Sequence, residues 1–133
     1  MNHPIDNVAS FMDLGGQYFP NDTDRDISKG DIRKFVDRID EEVEETFEAT
    51  FAHEEIEFAE VLDGAIDTAY VAMTLAIRLV GPLKARKAWD AVVDANLAKV
   101  DGRYGDPILN PKTGKIGKPE GWTAPDIEAI INA

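Results

Sequence analysis

The stretch from Ile39 to Ile77 reads IDEEVEETFEATFAHEEIEFAEVLDGAIDTAYVAMTLAI and decides the fold. It contains twelve acidic residues and no lysine or arginine. A helix usually gains stability from opposite charges four residues apart, and this stretch contains no such pair. A divalent cation removes the repulsion between carboxylates by coordinating them. We therefore interpret two clusters, Glu41-Glu42-x-x-Glu45 and Glu60-x-x-Asp63-x-x-x-Asp67, as halves of one metal site on two neighbouring helices.

Apolar residues at helical spacing predict a helix on each side of a break near residues 50–53. The first helix starts at about Asp31, and the second runs from about Glu54 to Val80. Glu42 lies on the flank of the apolar stripe of the first helix, where a packed neighbour is expected. Three carboxylates form one axial row on the second helix: Glu60, Asp63 and Asp67. Because the row ends where the helix becomes apolar on every side, we expect Asp67 to be the most desolvated acid.

The rest of the chain also indicates helices joined by turns. Either Ser28 or Asp31 caps the helix that follows, and Gly81-Pro82 ends the long second helix. The other predicted elements are a helix over residues 4–19, a loop over 20–27, a helix over 83–100, a Gly- and Pro-rich cover loop over 101–122 and a short helix from 126. We predict one all-α domain over residues 1–133, a bundle of four to five helices.

The composition excludes several classes of function. The formal net charge of −12 argues against binding to nucleic acid or to an anionic membrane. The sequence has no cysteine, which excludes disulfides and fits a reducing cytoplasm. No secretory signal is visible, and the apolar run 69–80 contains Arg78 and is too short to span a bilayer. We therefore expect a cytoplasmic protein with no membrane or nucleic-acid partner.

The segment from Ala69 to Val80 is apolar in nearly every direction around its helix. A helix that is apolar on all sides is buried on all sides. Because three or four helices of one small chain cannot surround it, we expect a homo-oligomer, either a dimer or a tetramer. In such an oligomer the subunits complete one another's core.

Four segments, in the order in which they occur along the chain, resemble motifs of the all-α nucleoside triphosphate pyrophosphohydrolases. This superfamily includes MazG-like enzymes, dimeric dUTPases and phosphoribosyl-ATP pyrophosphohydrolases, and short single-domain members are common in bacteriophage genomes. Glu41-Glu42-Val43-Glu44-Glu45 is similar to the family's first motif, Glu-Glu-x-x-Glu. Ala95-Asn96-Leu97-Ala98-Lys99 is similar to its Asn-x-x-Lys segment. Gly114-Lys115 with Lys118-Pro119-Glu120-Gly121-Trp122 is similar to its C-terminal cover.

The remaining motif, Glu-x-x-Asp, matches in two registers. Glu60-Val61-Leu62-Asp63 fits the literal pattern, but the residues after Asp67 look more like those that follow the family's Asp. In this second register the expected Glu falls on Gly64, and Asp63 substitutes for it one position earlier. We favour Asp63 with Asp67 and keep Glu60 as a further candidate ligand.

The resemblance implies Mg²⁺-dependent cleavage of an NTP or dNTP to the monophosphate and pyrophosphate, with Mn²⁺ as a substitute metal. The implied metal ligands are Glu41, Glu42, Glu45, Asp63 and Asp67. Either Glu41 or Glu45 would be the catalytic base that takes a proton from water. The implied substrate-binding residues are Asn96, Lys99, Lys115, Lys118 and Trp122.

Each group of residues also has a simpler interpretation. The acidic clusters would then be a solvated face. Lys112, Lys115 and Lys118 would either contact phosphate or belong to a solvated flexible loop. Trp122 would either stack on a base or anchor the cover loop to the core. Two other functions stay open: a phosphoribosyl-ATP pyrophosphohydrolase of histidine synthesis, and a non-enzymatic acidic helical protein that binds a partner.

Overall fold

The computed structural model describes residues 3–17, 19 and 26–133. Within those residues it contains four helices and no strand, which confirms the predicted all-α class. The helices are α1 (Pro4–Leu14), α2 (Lys29–Phe51), α3 (Phe58–Ala98) and α4 (Ile127–Asn132). The chain divides into two compact units, unit 1 with residues 1–85 and unit 2 with residues 86–133.

The start and end of α1 follow from its flanking residues. Pro4 occupies the first turn, and His3 Nδ1 accepts a hydrogen bond from the Ile5 backbone N–H at 3.1 Å. The helix ends at Leu14, earlier than the predicted end at residue 19, because the two glycines that follow favour leaving the helical conformation. Residue 18, within this predicted helix, lies outside the described residues.

A capping box that uses both candidate caps begins α2. The Ser28 hydroxyl accepts a hydrogen bond from the Asp31 N–H at 3.1 Å, and the Asp31 carboxylate accepts one from the Ser28 N–H at 3.4 Å. These bonds hold the pKa of Asp31 below its ordinary value. Of the loop predicted over residues 20–27, only Asp26 and Ile27 are described, and neither is helical.

The two helices predicted on either side of Gly81-Pro82 are the two arms of α3. Gly81 adopts φ 80° and ψ 165°, a conformation that is nearly restricted to glycine. Pro82 has no backbone N–H to continue the hydrogen-bond ladder. The helical direction therefore changes at this point, where the sequence predicted the end of a helix.

The core of unit 1 forms where α1 meets the other helices. Its fully buried large side chains are Ile5, Val8, Met12 and Ile77. Phe11 packs edge-on against Tyr70, with ring centroids 5.3 Å apart. Arg78 reaches the segment before α2, where it donates to the Asp26 carbonyl at 2.8 Å and lies 3.5 Å from the Asp31 carboxylate.

Most of the segment 69–80 is half-buried within a single chain, and Thr74 and Ile77 are buried. Leu14, at the end of α1, is the most exposed large apolar side chain described in unit 1, at 88%. The next most exposed lie near the end of α2 and the start of α3: Phe47, Phe51, Phe58, Leu62 and Ile66. By length and composition alone α3 would also pass as a membrane span, a test that core helices of soluble proteins pass too.

Unit 2 contains the end of α3, a long ordered loop and α4. The loop includes a short hairpin-like turn, with an isolated bridge between Leu109 and Ile116. The Asp126 side chain caps α4 by accepting a hydrogen bond from the Ala129 N–H at 3.0 Å. Residues 101–122 thus contain no helix, and α4 begins one residue after the predicted start at Asp126.

Candidate functional site

A close contact between α2 and α3 positions the acidic residues of unit 1. A Cβ atom added at Gly64 would collide with Thr46 Oγ1 and would lie only 3.4 Å from the Thr46 Cα. The two backbones can therefore approach only because residue 64 has no side chain.

The acidic residues next to this contact surround Glu42. Glu42 is half-buried, and partial burial raises its pKa, with further increases from four neighbouring carboxylates. Those neighbours, in order of effect, are Glu45, Asp67, Asp63 and Glu41. Carboxylates of α2 and α3 therefore lie within electrostatic reach of one another.

Glu60 has different neighbours. Its pKa is raised chiefly by a hydrogen bond with Glu57 and by the charge of Glu57. Glu57 in turn lies 3.3 Å from His53, measured from Oε1 to Nε2. Glu60 is thus associated with the start of α3, and it is absent from the described neighbours that shift the pKa of Glu42. Asp63 also raises the pKa of Glu60, and the choice between the two registers stays a prediction.

The contact between His53 and Glu57 is one that sequence reasoning missed, since His53 had no assigned role. The two residues stand four positions apart, but His53 fell in the predicted break and Glu57 in the predicted second helix, so no helical pair was expected. The structure instead places both residues in the connection between α2 and α3.

The chemistry of these side chains suits Mg²⁺, which prefers oxygen ligands. Their positions do not yet form a cage: among the described residues, no group of three or more His, Cys, Asp or Glu side chains could hold a metal ion as placed. Glu42 and Asp67 are half-buried, and the other proposed ligands, Glu41, Glu45 and Asp63, are exposed together with Glu60. Exposed carboxylates can change rotamer at little cost.

In unit 2, four of the five predicted substrate-binding residues lie together. The Lys99 ammonium donates to Asn96 Oδ1 at 3.1 Å and lies 4.8 Å from the centre of the Trp122 ring. The Lys118 ammonium lies 5.6 Å from the same ring. Trp122 Nε1 donates to the Ala95 carbonyl at 2.7 Å. Of the two interpretations of Trp122, the structure thus shows the anchor, which ties the cover loop to α3.

The fifth residue, Lys115, lines a cavity of about 730 Å³ together with Lys99 and Lys118. A second cavity of about 440 Å³ is lined by Asn96 and again by Lys99. Four of the five predicted substrate-binding residues thus line cavities of unit 2, and the fifth, Trp122, contacts two of the lysines. The predicted metal ligands belong to unit 1.

No protein-family model matches this chain, and the comparison with curated proteins found no match. The resemblance to the pyrophosphohydrolase superfamily therefore stays a prediction from the sequence motifs.

Proposed function

We propose that the chain is a Mg²⁺-dependent nucleotide pyrophosphohydrolase, which cleaves an NTP or dNTP to the monophosphate and pyrophosphate. The observation that carries the proposal is the group of carboxylates from α2 and α3 around Glu42, close enough together to raise its pKa. Carboxylates in such a group repel one another unless a cation is bound. Oxygen ligands of this kind suit Mg²⁺, with Mn²⁺ as a substitute. The order of the four motif segments supports the same activity.

In this proposal some carboxylates bind the metal, and one acts as the general base. The proposed ligands come from both helices: Glu41, Glu42, Glu45, Asp63 and Asp67. Bound Mg²⁺ supplies charge neutralisation and orientation of the attacking water. Glu41 or Glu45, both exposed on α2, accepts a proton from that water. The water oxygen bonds to phosphorus, the α–β phosphoanhydride bond breaks, and pyrophosphate leaves with the electron pair.

The residues of unit 2 bind the substrate in this proposal. Lys99, Lys115 and Lys118 supply positive charge for the phosphates. Asn96 offers two donors and an acceptor, although its oxygen already accepts a hydrogen bond from Lys99. Trp122 holds the cover loop on α3 through its N–H group. Its proposed role is to position Lys99 and Lys118, whose ammonium groups lie over its ring.

The proposed enzyme works in the cytoplasm as a homo-oligomer. The exposed apolar side chains near the end of α2 and the start of α3 support the oligomer, since large apolar patches on a folded chain usually mark an interface. The absence of cysteine is compatible with a reducing compartment.

The test is a panel of NTPs and dNTPs with Mg²⁺, followed by separation of the products. A pyrophosphohydrolase forms the monophosphate and pyrophosphate, whereas a phosphatase forms the diphosphate and phosphate. We expect Glu45→Gln and Asp67→Asn to lower turnover by at least about a hundredfold, because each removes charge from the site. The helical circular dichroism signal should not change.

Glu44→Gln is the matched control, since Glu44 is an exposed acid of α2 that does not contribute to the pKa shift of Glu42. It should keep wild-type turnover. If no nucleotide is hydrolysed and Mg²⁺ does not bind in a calorimetric titration, the proposal is wrong, and the acidic protein that only binds a partner becomes the better interpretation.

A further inference from the structure

Unit 2 differs from the rest of the chain in its charge. Residues 1–85 contain 7 basic and 19 acidic residues, whereas residues 86–133 contain 7 of each, so the net charge of −12 belongs entirely to residues 1–85. Within unit 2, Arg103 pairs with Asp94 at 3.1 Å and with Asp101 at 2.7 Å. These pairs engage two of the acidic residues of unit 2 and leave its lysines with fewer competing carboxylates.

The larger cavity of unit 2 collects four of the lysines: Lys99, Lys112, Lys115 and Lys118. The other described residues that line it are all uncharged: Ile108, Asn110, Pro111, Ile116 and Gly117. Lys112, Lys115 and Lys118 form no ion pair with a carboxylate in the described part of the chain. A concave surface with charges of one sign focuses the electric field and attracts a counter-ion.

The backbone that carries Lys112 and Lys115 is already ordered. The Asn110 N–H donates to the Lys115 carbonyl at 2.9 Å, and the Gly117 N–H donates to the Ile108 carbonyl at 2.7 Å. Asn110 Oδ1 accepts a hydrogen bond from the Lys112 N–H at 2.9 Å. Because this turn is formed before any ligand arrives, less conformational entropy is lost on binding.

The other two lysines, Lys99 and Lys118, are held by one aromatic ring. Both ammonium groups lie over Trp122, at 4.8 and 5.6 Å from its centre. The face of an aromatic ring attracts a cation without neutralising it. The contact therefore positions both charges and leaves them available to an anion.

We propose that this cavity is a binding site for a short chain of linked phosphates and that it needs no metal ion. Ammonium groups bind phosphate as point charges, and four of them suit a ligand that concentrates several negative charges in a small volume. A long polyanion is disfavoured by the net charge of the whole chain. The proposal assigns Lys112 to the site, which the motif resemblance does not. Three of its four lysines are those that the proposed function gives to the phosphates of the substrate, so the inference deepens that function, and metal-free binding tests it separately from hydrolysis.

Calorimetric titration in metal-free buffer tests the site. The probes are inorganic triphosphate, ATP and citrate, and citrate is the control for an anion without phosphate. We expect both phosphate compounds to bind more tightly than citrate. The double variant Lys112→Gln/Lys115→Gln should bind triphosphate at least about tenfold more weakly, because it loses two charge-assisted contacts. The control Lys87→Gln changes an exposed lysine of unit 2 outside the cavity and should keep wild-type affinity.

Three results would overturn the site: no binding of triphosphate without metal, equal binding of citrate, or equal weakening in Lys87→Gln. The two phosphate probes distinguish the sources, since equal affinity means that the phosphates alone are recognised, and tighter ATP binding means that the nucleoside also contacts the cavity. If the wild type binds triphosphate but hydrolyses no nucleotide with Mg²⁺, the proposed enzyme is wrong and the site stands. If the wild type hydrolyses nucleotides but binds no triphosphate without metal, the proposed enzyme stands and the metal-free phosphate site is wrong.

Discussion

Among single residues, Glu42 has the most informative surroundings. Partial burial and the charges of four neighbouring carboxylates raise its pKa, so the folded chain holds a proton there more tightly than the unfolded chain does. A carboxyl group whose pKa is raised by folding stabilises the fold when it is protonated. That stability is lost as the pH rises through the raised pKa.

We predict that Glu42→Gln raises the thermal midpoint of unfolding in metal-free buffer at neutral pH. At neutral pH, the amide removes a negative charge that is repelled by its neighbours. Below the ordinary pKa of glutamate, residue 42 is uncharged in both proteins. The difference between variant and wild type should therefore shrink as the pH falls toward 4. Differential scanning fluorimetry over a pH series measures it.

Magnesium should reverse the order of these two proteins, because a ligand that binds only the folded state stabilises it. Added Mg²⁺ is expected to raise the midpoint of the wild type more than that of Glu42→Gln. Glu44→Gln serves as the control and should respond to Mg²⁺ like the wild type. If Mg²⁺ raises the midpoint of Glu42→Gln as much as that of the wild type, Glu42 is not a ligand of the metal site.

Among the elements, the contact between α2 and α3 sets the geometry of the acidic face. Thr46 occupies the space that a side chain at Gly64 would need. The Thr46 hydroxyl also donates to the Glu42 carbonyl at 2.8 Å. The same contact thus fixes the helix separation and orders the backbone beneath Glu42.

We predict that Gly64→Ala lowers the free energy of unfolding by about 1–3 kcal/mol, as is typical of overpacking. The cost should be smaller in a Thr46→Ala background, which removes the colliding hydroxyl, and a double-mutant cycle in urea measures the difference. Gly30→Ala is the control, because its nearest neighbour would be Ser28 Oγ at 3.7 Å, an ordinary contact. Equal costs of Gly64→Ala in both backgrounds would show that the helices are not this close.

For the whole molecule, the open question is what covers the exposed apolar side chains of unit 1. Leu62 and Ile66 are 65% and 60% exposed in a single chain, one turn apart on α3. Ile77, in contrast, is fully buried within the chain. Substitution of Ile77 would therefore disrupt the fold itself, and Leu62 and Ile66 are better probes of an interface.

We predict that the wild type is an oligomer and that Leu62→Glu/Ile66→Glu shifts it toward the monomer. Burying two charges in an apolar interface is strongly unfavourable, whereas exposed positions tolerate glutamate in a monomer. Sedimentation velocity at micromolar concentration measures the change, and Leu62→Met is the control that keeps an apolar side chain. A wild type that sediments as a folded monomer would contradict the prediction.

Local chemistry explains which features could be predicted from the amino-acid sequence. The all-α class, the cap at Ser28, the change of direction at Gly81 and the last helix depend on periodicity, caps and the conformations of glycine and proline, which neighbouring residues determine. The helix ends were less accurate, as for α1, because fraying there depends on tertiary contacts.

The amino-acid sequence by itself determined the helices and the set of candidate carboxylates and lysines. Only the tertiary structure decided which of them are neighbours: it placed Glu60 beside Glu57, and it brought Lys112 to the same cavity as Lys99. The physical reason is that spacing along a helix gives the direction of a side chain, whereas proximity across helices and loops depends on packing. Here that packing turns on one missing side chain, at Gly64.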